Sequence, residues 1–296
     1  MRFRPSLRLL PLALLALASS ACDINLDAAR FTDKEERRFT VTGTPDVVLS
    51  TFDGAIDVRA WDRPEVFVTV EKQGGSQEDA KDIKVTFDQS GNRVTVRVEA
   101  PPTRGISINS YRSANVTISM PRDGNLQAKS GDGSVAIAGI HGAVSVGSGD
   151  GAIKGTGLDG ELTVHTGDGS VTLEDVKGRV ELSTGDGAVN VRGALSRVKA
   201  RTGDGPITIR ALAGSSTADD WDLTSGDGAM TVELPPDFAA QIDAHTGDGG
   251  IVVDGLTIAG AQSGAEHKDD LKGTLGAGGK MLRLRTGDGS IRLKGL

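Results

Sequence analysis

The chain has 296 residues, of which 41 are glycine, and only 3% of it is aromatic. A compact globular core of this size normally contains more Phe, Tyr and Trp, because those side chains supply much of the buried area. The composition therefore indicates a thin aliphatic core. The formal charge is −7, an acidic excess that argues against nucleic acid, which requires clustered Lys and Arg. A single cysteine, Cys22, excludes an intramolecular disulfide.

Residues 1–21 are predicted to be an export signal peptide. The basic stretch MRFRPSLR precedes the apolar run LLPLALLALA, which is too short to span a membrane as a helix. The cysteine after SSA resembles the lipobox of bacterial lipoproteins, which implies that Cys22 is acylated and becomes the mature N-terminus. Asp23 resembles a signal for retention in the inner membrane. Plain secretion, or a structural role for a buried Cys22, are the alternatives, and residues 22–36 are expected to be a linker.

Residues 37–120 are predicted to form a β-rich N-terminal part, because segments such as RRFTVTG and EVFVTVEK are rich in β-branched residues. The segment DVVLSTFDGAIDV matches the repeat described next, so Asp53 is expected to head a degenerate first coil. QSGNR predicts a hairpin turn and QEDAKD a short helical turn. Residues 101–114 and 259–280 are predicted to be loops.

Residues 121–296 contain eight copies of the motif [ST]-G-D-G. The first four intervals between its aspartates are 18 residues, and the later ones are 23, 21 and 40 residues. A fixed short period is typical of a solenoid, in which each unit buries its apolar face against its neighbours. The aspartates are Asp132, Asp150, Asp168, Asp186, Asp204, Asp227, Asp248 and Asp288.

Apolar residues alternate on both sides of the motif. Val171 and Leu173 follow one copy, and Val180 and Leu182 precede the next, which indicates two half-buried strands in each unit. Gly178 marks the turn between them. The sequence therefore predicts an all-β fold: a two-sheeted parallel β-solenoid with 18-residue coils about 4.8 Å apart, preceded by the irregular β N-terminal part.

The Gly-Asp-Gly motif has a structural interpretation, in which its glycines adopt positive φ at a corner and its aspartate bonds to its own turn. Stacked carboxylates about 5 Å apart would repel by roughly 3 kcal/mol per pair at an effective dielectric near 20, before solvent screening. Basic residues three places before the aspartate are expected to face outward and partly neutralise the row. They are Lys129, His165, Arg201, His245 and Arg285.

The alternative interpretation of the aspartate row is a calcium-binding β-roll. Repeats-in-toxin proteins also have 18-residue coils, but with two Gly-Asp turns in each coil. This chain has one such turn per coil, and calcium prefers six to eight oxygen ligands. The structural interpretation is favoured, and no cofactor or metal is expected.

The phrases FDGAIDVRAWDR, VTISMPRDGNLQAKSGDGSVAI, VELPPDFAAQIDAHTGDGGI and LRLRTGDGSIRLKGL are similar to the "putative adhesin" β-strand-repeat domain of bacterial envelope proteins. The resemblance covers about residues 38–296. It implies a β-solenoid in an exported or membrane-attached protein, and it supplies no catalytic residues.

An enzyme is not expected, because the acids are regular corner residues and His141, His165, His245 and His267 show no ligand spacing. A polysaccharide-acting β-helix enzyme is the second alternative, with Asp219, Asp220 and Asp222 beside Trp221 as its acids; Trp221 itself is expected in the core. The favoured function is a non-enzymatic, lipid-anchored, adhesin-like module of the cell envelope, periplasmic or on the cell surface. Its expected partners are the membrane, an envelope protein or glycan, and a second copy through an open C-terminal solenoid edge.

Overall fold

The computed structural model describes residues 31–101, 111–261 and 269–296. This part of the chain contains 23 strands and one short helix, so the prediction of an all-β fold is confirmed. The predicted signal peptide, Cys22 and His267 lie outside the described residues, as do residues 102–110 and 262–268 of the two predicted loops.

The N-terminal part begins earlier than the predicted boundary, since the first strand starts at Phe31 and includes residues predicted as linker. The predicted helical turn and hairpin are both present, and Ser76 caps the helix by accepting from the Asp79 N–H at 3.0 Å. The elements are β1 (Phe31–Thr40), β2 (Asp46–Thr51), β3 (Ile56–Trp61), β4 (Glu65–Gly74), α1 (Gln77–Asp82), β5 (Lys84–Ser90), β6 (Arg93–Glu99) and β7 (Arg112–Pro121).

The repeat region is built almost wholly of strands. They are β8 (Asn125–Ser130), β9 (Val135–Ala138), β10 (His141–Ser148), β11 (Ile153–Thr156), β12 (Asp159–Thr166), β13 (Val171–Ser183), β14 (Val189–Thr202), β15 (Ile207–Ala211), β16 (Trp221–Ser225), β17 (Met230–Leu234), β18 (Ala240–Thr246), β19 (Ile251–Asp254), β20 (Ile258–Ala259), β21 (Asp270–Leu275), β22 (Met281–Thr286) and β23 (Ile291–Gly295).

The strands pair in two series, which we call the first and second columns. The first column contains β8, β10, β12 and the C-terminal halves of β13 and β14, all parallel, and Leu126, Val144, Leu162 and Val180 are successive partners. The second column contains β9, β11 and the N-terminal halves of β13 and β14. Partner residues in neighbouring strands are 18 positions apart in the sequence, except at a bulge between β13 and β14. The 18-residue repeat therefore sets the register in which the strands pair.

Alternate residues of most strands in the two columns are buried, as the period-two pattern predicts. Strand β8, for example, alternates exposed and buried residues throughout. The core is mainly Val, Leu and Ile, and its largest aromatic pair is Trp221 against Phe238, with ring centroids 5.1 Å apart. The expected core position of Trp221 is confirmed, since its side chain is fully buried.

Two segments enter the stack out of chain order. The predicted degenerate coil, β2 and β3, pairs in parallel with β8 and β9 on one side and with β6 and β7 on the other. At the other end, β22 lies between β16 and β18, and β23 lies between β17 and β19.

The prediction of an open strand edge at the C-terminus is therefore wrong. Strand β23 has a hydrogen-bonded neighbour on each side, because the last coil inserts between two coils that precede it in the chain. Within the described residues, β19 is the strand of the second column that has only one partner at this end.

Antiparallel strands cover both ends of the stack. At the N-terminal end, β1 and β4 pair antiparallel with each other, β4 with β7, and β5 with β6. At the other end, β21 pairs antiparallel with β18 and β20. The region 259–280, predicted as a loop, thus contains a six-residue strand, whose sequence DLKGTL lacks a regular apolar alternation.

A buried lysine fixes β1 to the end of the stack. The Lys72 ammonium lies 2.6 Å from an Asp33 oxygen and 2.7 Å from a Glu35 oxygen, while its side chain is 5% exposed. Burial opposes the charge of Lys72, but these hydrogen bonds outweigh it and hold its pKa above the ordinary value. The same contact with Lys72 lowers the pKa of Asp33.

Candidate functional site

The eight motif corners form one row along the stack. Each corner is joined to the next by a backbone hydrogen bond between glycines, for example from Gly167 N–H to Gly149 O and from Gly287 N–H to Gly226 O. The final two corners are reversed relative to the sequence, because Gly247 N–H bonds to Gly287 O. The aspartates therefore lie in the spatial order Asp132, Asp150, Asp168, Asp186, Asp204, Asp227, Asp288 and Asp248.

All eight aspartates are exposed, and in the middle of the row each carboxylate accepts from the next corner. Asp150 Oδ1 lies 3.4 Å from the Asp168 backbone nitrogen, Asp168 Oδ1 lies 3.3 Å from that of Asp186, and Asp186 Oδ1 lies 3.2 Å from that of Asp204. These N–H dipoles face the negative charge and offset part of the repulsion between neighbouring carboxylates.

The Ser or Thr of the motif is buried and joins neighbouring coils. Thr166 Oγ1, for example, lies 3.1 Å from Gly149 O and 3.0 Å from Gly151 O. Sequence reasoning missed this role, although a hydroxyl residue in every copy was the available signal. The hydroxyl ladder consists of Ser130, Ser148, Thr166, Thr184, Thr202, Ser225, Thr286 and Thr246.

The motif glycines do not adopt positive φ, which corrects the predicted reason for their presence. Within the described chain, the glycines with positive φ lie elsewhere, as at Gly160 and Gly178 of the opposite corner, or at Gly54 of the degenerate coil. A Cβ added to Gly169 would lie 2.2 Å from Gly151 O. The motif requires glycine because the backbones of adjacent coils approach too closely for any side chain.

A family model described as Toastrack DUF4097 matches residues 45–294. The chain belongs to the Toastrack DUF4097 family. The resemblance to envelope repeat domains is thereby confirmed. No functionally curated protein matches the Toastrack chain in sequence.

Solved structures share the fold at low sequence identity. A "putative lipid binding protein" from Parabacteroides distasonis ATCC 8503 is 16% identical, with a TM-score of 0.50, over 88% of this chain and 96% of that chain. A "putative adhesin" from Parabacteroides merdae ATCC 43184 is 11% identical, with a TM-score of 0.47, over 88% and 95% of the two chains. At 16% identity the likeness to the first of these structures extends to the fold alone. No helix in the described part of the chain is long and apolar enough to cross a membrane.

The basic residues near the row face outward, but their contacts are with other groups. Arg285 lies 2.6 Å from Asp243, His245 lies 2.9 Å from Asp270, and His165 Nδ1 lies 2.7 Å from Ser183 Oγ. In the described part of the chain, no ion pair within 4 Å joins a basic residue to a motif aspartate. Any neutralisation of the row by these residues therefore acts over more than 4 Å.

Four of these basic residues, from Lys129 to Arg285, alternate with small ones along the first column of the Toastrack stack, so each is about 10 Å, or two strand spacings, from the next. His245 breaks the alternation, because it is the direct strand partner of Arg285. Two residues earlier on the same strands, Lys199 lies 2.6 Å from Glu181, and this hydrogen bond lowers the pKa of Glu181. The neighbours in order are Lys129, Gly147, His165, Ser183, Arg201, Thr224, Arg285 and His245.

The described residues contain no group of three or more His, Cys, Asp or Glu side chains placed to hold a metal ion. Each motif corner contributes one carboxylate, and in the middle of the row one of its oxygens already accepts a backbone N–H. Six to eight oxygens within bonding distance, as calcium prefers, would require ligands beyond the corner itself.

The acids considered for polysaccharide chemistry have structural partners. Asp219 lies 3.0 Å from Arg179, Asp220 accepts from the Met281 N–H at 3.0 Å, and Asp222 lies 3.9 Å from Arg283. The structure brings these acids to adjoining positions, but the intervening Trp221 points into the core, where it offers no surface to a sugar.

Proposed function

We propose that the protein is a non-enzymatic, exported lipoprotein whose β-solenoid acts as an adhesin-like binding module of the bacterial cell envelope. In this proposal Cys22 carries the lipid anchor, and the solenoid presents its faces and corners to an envelope protein or glycan. The two strand columns are the two facing sheets of a flattened solenoid with 18-residue coils.

The observation that carries the proposal is the hydroxyl ladder. Every motif hydroxyl bonds to the neighbouring coil. A Cβ added to a motif glycine would collide with the backbone of a neighbouring coil. The repeated residues are thus used to hold coils together, which supports a stiff structural rod that displays its less regular parts.

The anchor is tested by fractionating bacterial cells that produce the full-length protein or its Cys22→Ser variant. We expect the unmodified protein in the membrane fraction and the variant in the soluble exported fraction. The same distribution for both proteins would contradict lipid anchoring.

The binding role is tested by co-sedimentation of the purified full-length protein with isolated cell envelopes. We expect saturable binding that is lost after thermal unfolding, with an unrelated acidic protein of similar size as control. Absence of saturable binding would contradict the proposal. Turnover of an envelope polysaccharide that disappears in Asp219→Asn, Asp220→Asn or Asp222→Asn would favour the enzyme alternative instead.

A further inference from the structure

Three turns meet at the corner opposite the aspartate row. They are residues 41–45, 62–64 and 121–124, each of which lies where the chain leaves one strand and enters another. Together they enclose an open groove of about 640 Å³, within the range of about 300–1,000 Å³ that is usual for ligand sites. We call it the Trp61 groove, lined by Thr44, Trp61, Asp62, Arg63, Arg122 and Asp123 among others.

Each of the three turns contains a proline, and each is tied to the stack. Pro45 O accepts from the Asn125 N–H at 2.8 Å, and Pro64 O accepts from the Val41 N–H at 3.0 Å. Pro121 ends β7 and lines the groove. Because proline fixes φ and these carbonyls are bonded, the groove is formed before a ligand arrives, which reduces the entropic cost of binding.

An aromatic ring of fixed orientation lines the groove. Trp61 is half-buried, its indole N–H donates to Glu65 O at 2.8 Å, and its ring stacks on Phe67 with centroids 6.3 Å apart. The Arg63 guanidinium lies 5.1 Å from the indole centroid. Such a ring offers a flat apolar surface beside a polar edge, whereas Trp221, the other tryptophan, is fully buried.

The polar groups around this ring are balanced in charge. The lining contains two carboxylates, of Asp62 and Asp123, and two guanidiniums, of Arg63 and Arg122, and Asp123 Oδ1 lies 3.6 Å from His141 Nδ1. All four residues are exposed, and the Thr44 hydroxyl lies at the same rim. A site with no net charge does not select a phosphate or another strong anion, but it offers both acceptors and forked donors to a ligand with many hydroxyls.

The guanidiniums are available for new contacts. Their polar contacts within the protein are long, at 3.7 Å from Arg63 to Glu65 and 3.5 Å from Arg122 to Gly139 O. Most of their N–H donors therefore still face water, and a ligand can exchange that water for its own hydroxyl oxygens.

We infer that the Trp61 groove is a binding site for an uncharged glycan. The exposed Arg63 guanidinium moves off the Trp61 indole, and a pyranose ring takes its place with its C–H face on Trp61. The hydroxyls of the sugar donate to Asp62 and Asp123, and its oxygens accept from Arg63 and Arg122. This inference rests on the proposed binding function and names the ligand class and the place where it binds.

The test uses the purified full-length protein and neutral oligosaccharides of glucose, galactose, mannose and N-acetylglucosamine, with oligogalacturonate as an anionic comparator. Isothermal titration measures affinity, and acrylamide quenching of tryptophan fluorescence reports on Trp61, since Trp221 is shielded. We expect saturable binding of at least one neutral oligosaccharide, together with protection of tryptophan from acrylamide.

Variants locate the site. The double variant Asp62→Asn, Asp123→Asn changes only exposed groups and should weaken affinity at least tenfold, and Trp61→Ala should abolish measurable binding. The matched control is Gln127→Ala, Thr163→Ala in a second groove of about 460 Å³ whose lining has no aromatic residue; it should bind as the unmodified protein does. Circular dichroism melts establish that each variant is folded.

The inference is overturned if no neutral oligosaccharide in the panel binds, if oligogalacturonate binds more tightly, or if the double aspartate variant binds unchanged. These outcomes are separable from failure of the proposed function. If groove variants still co-sediment with envelopes, the binding module stands and the groove is not its site. If the unmodified protein does not co-sediment, the proposed function itself fails.

Discussion

Replacement of a motif glycine by alanine separates the two physical explanations of the Gly-Asp-Gly corner. In Gly169→Ala the new Cβ would lie 2.2 Å from Gly151 O and 2.6 Å from Thr166 Oγ1. An ordinary contact requires at least 3.4 Å, so the corner must open by about 1 Å, a displacement of the kind that overpacking produces.

The cost follows from what that opening disrupts. Two hydrogen bonds cross this junction, from the Thr166 hydroxyl to Gly151 O at 3.0 Å and from the Gly167 N–H to Gly149 O. Each contributes about 1 kcal/mol net, and overpacking adds about 1–3 kcal/mol. The expected destabilisation is therefore about 3–5 kcal/mol.

The matched control is Gly157→Ala. Gly157 has a φ of +63°, and the atoms nearest to its added Cβ are 4.0 Å away, so only backbone strain of about 1–2 kcal/mol applies. Urea unfolding followed by circular dichroism measures both variants against the unmodified protein. If Gly169→Ala costs no more than Gly157→Ala, close approach of the coils is not the reason for the motif.

Four further outcomes are expected. Thr166→Val should cost about 1–3 kcal/mol because the buried Gly151 O loses its hydroxyl donor, whereas Thr163→Val, on the exposed face, should cost little in the same urea assay. Melting temperatures in EDTA and in millimolar Ca²⁺ should agree; folding only with calcium would establish the metal alternative. Because the pKa of Lys72 is raised in the folded protein, its ion pairs stabilise the fold fully at neutral pH. That stabilisation is lost as the pH rises through the pKa of the folded state. Lys72→Met should therefore flatten the alkaline side of the stability–pH profile. Deletion of residues 281–296 should abolish cooperative melting, because β22 and β23 are internal strands; a small loss would contradict that placement.

Local chemistry was sufficient to predict most of the individual elements. Alternation of apolar residues predicted the strands, QSGNR predicted the turn at Gly91 between β5 and β6, and Ser76 begins the predicted helical turn. Each of these depends on residues close in sequence, so the pattern contains the necessary information.

The order of the coils could not be predicted in the same way. Intervals of 21 and 40 residues indicate that something is inserted, but not that Asp288 lies between Asp227 and Asp248. Neighbouring segments usually pair with each other, and nothing in the spacing contradicts that default. The insertion of the last coil between two earlier ones depends on which strands bury the most complementary faces. That complementarity is a property of the assembled stack and cannot be obtained from the spacing of the motif.

The candidate binding groove escaped sequence reasoning for a related reason. Asp62, Arg122 and Thr44 belong to three separate turns, each of which is an ordinary connection, and only the insertion of β2 and β3 brings those turns together. The motif row, by contrast, is conspicuous in the sequence because its residues meet the same packing requirement eight times.

That contrast bears on where recognition can occur in a repeat protein. A corner repeated every 18 residues presents the same groups along its whole length, and its hydroxyls and amides are already bonded to neighbouring coils. A discrete ligand needs a combination of groups that occurs once. The Trp61 groove supplies such a combination, at the end of the stack where antiparallel strands cover the regular coils. The ligand is therefore to be sought where the repeat is interrupted and not along the repeat itself.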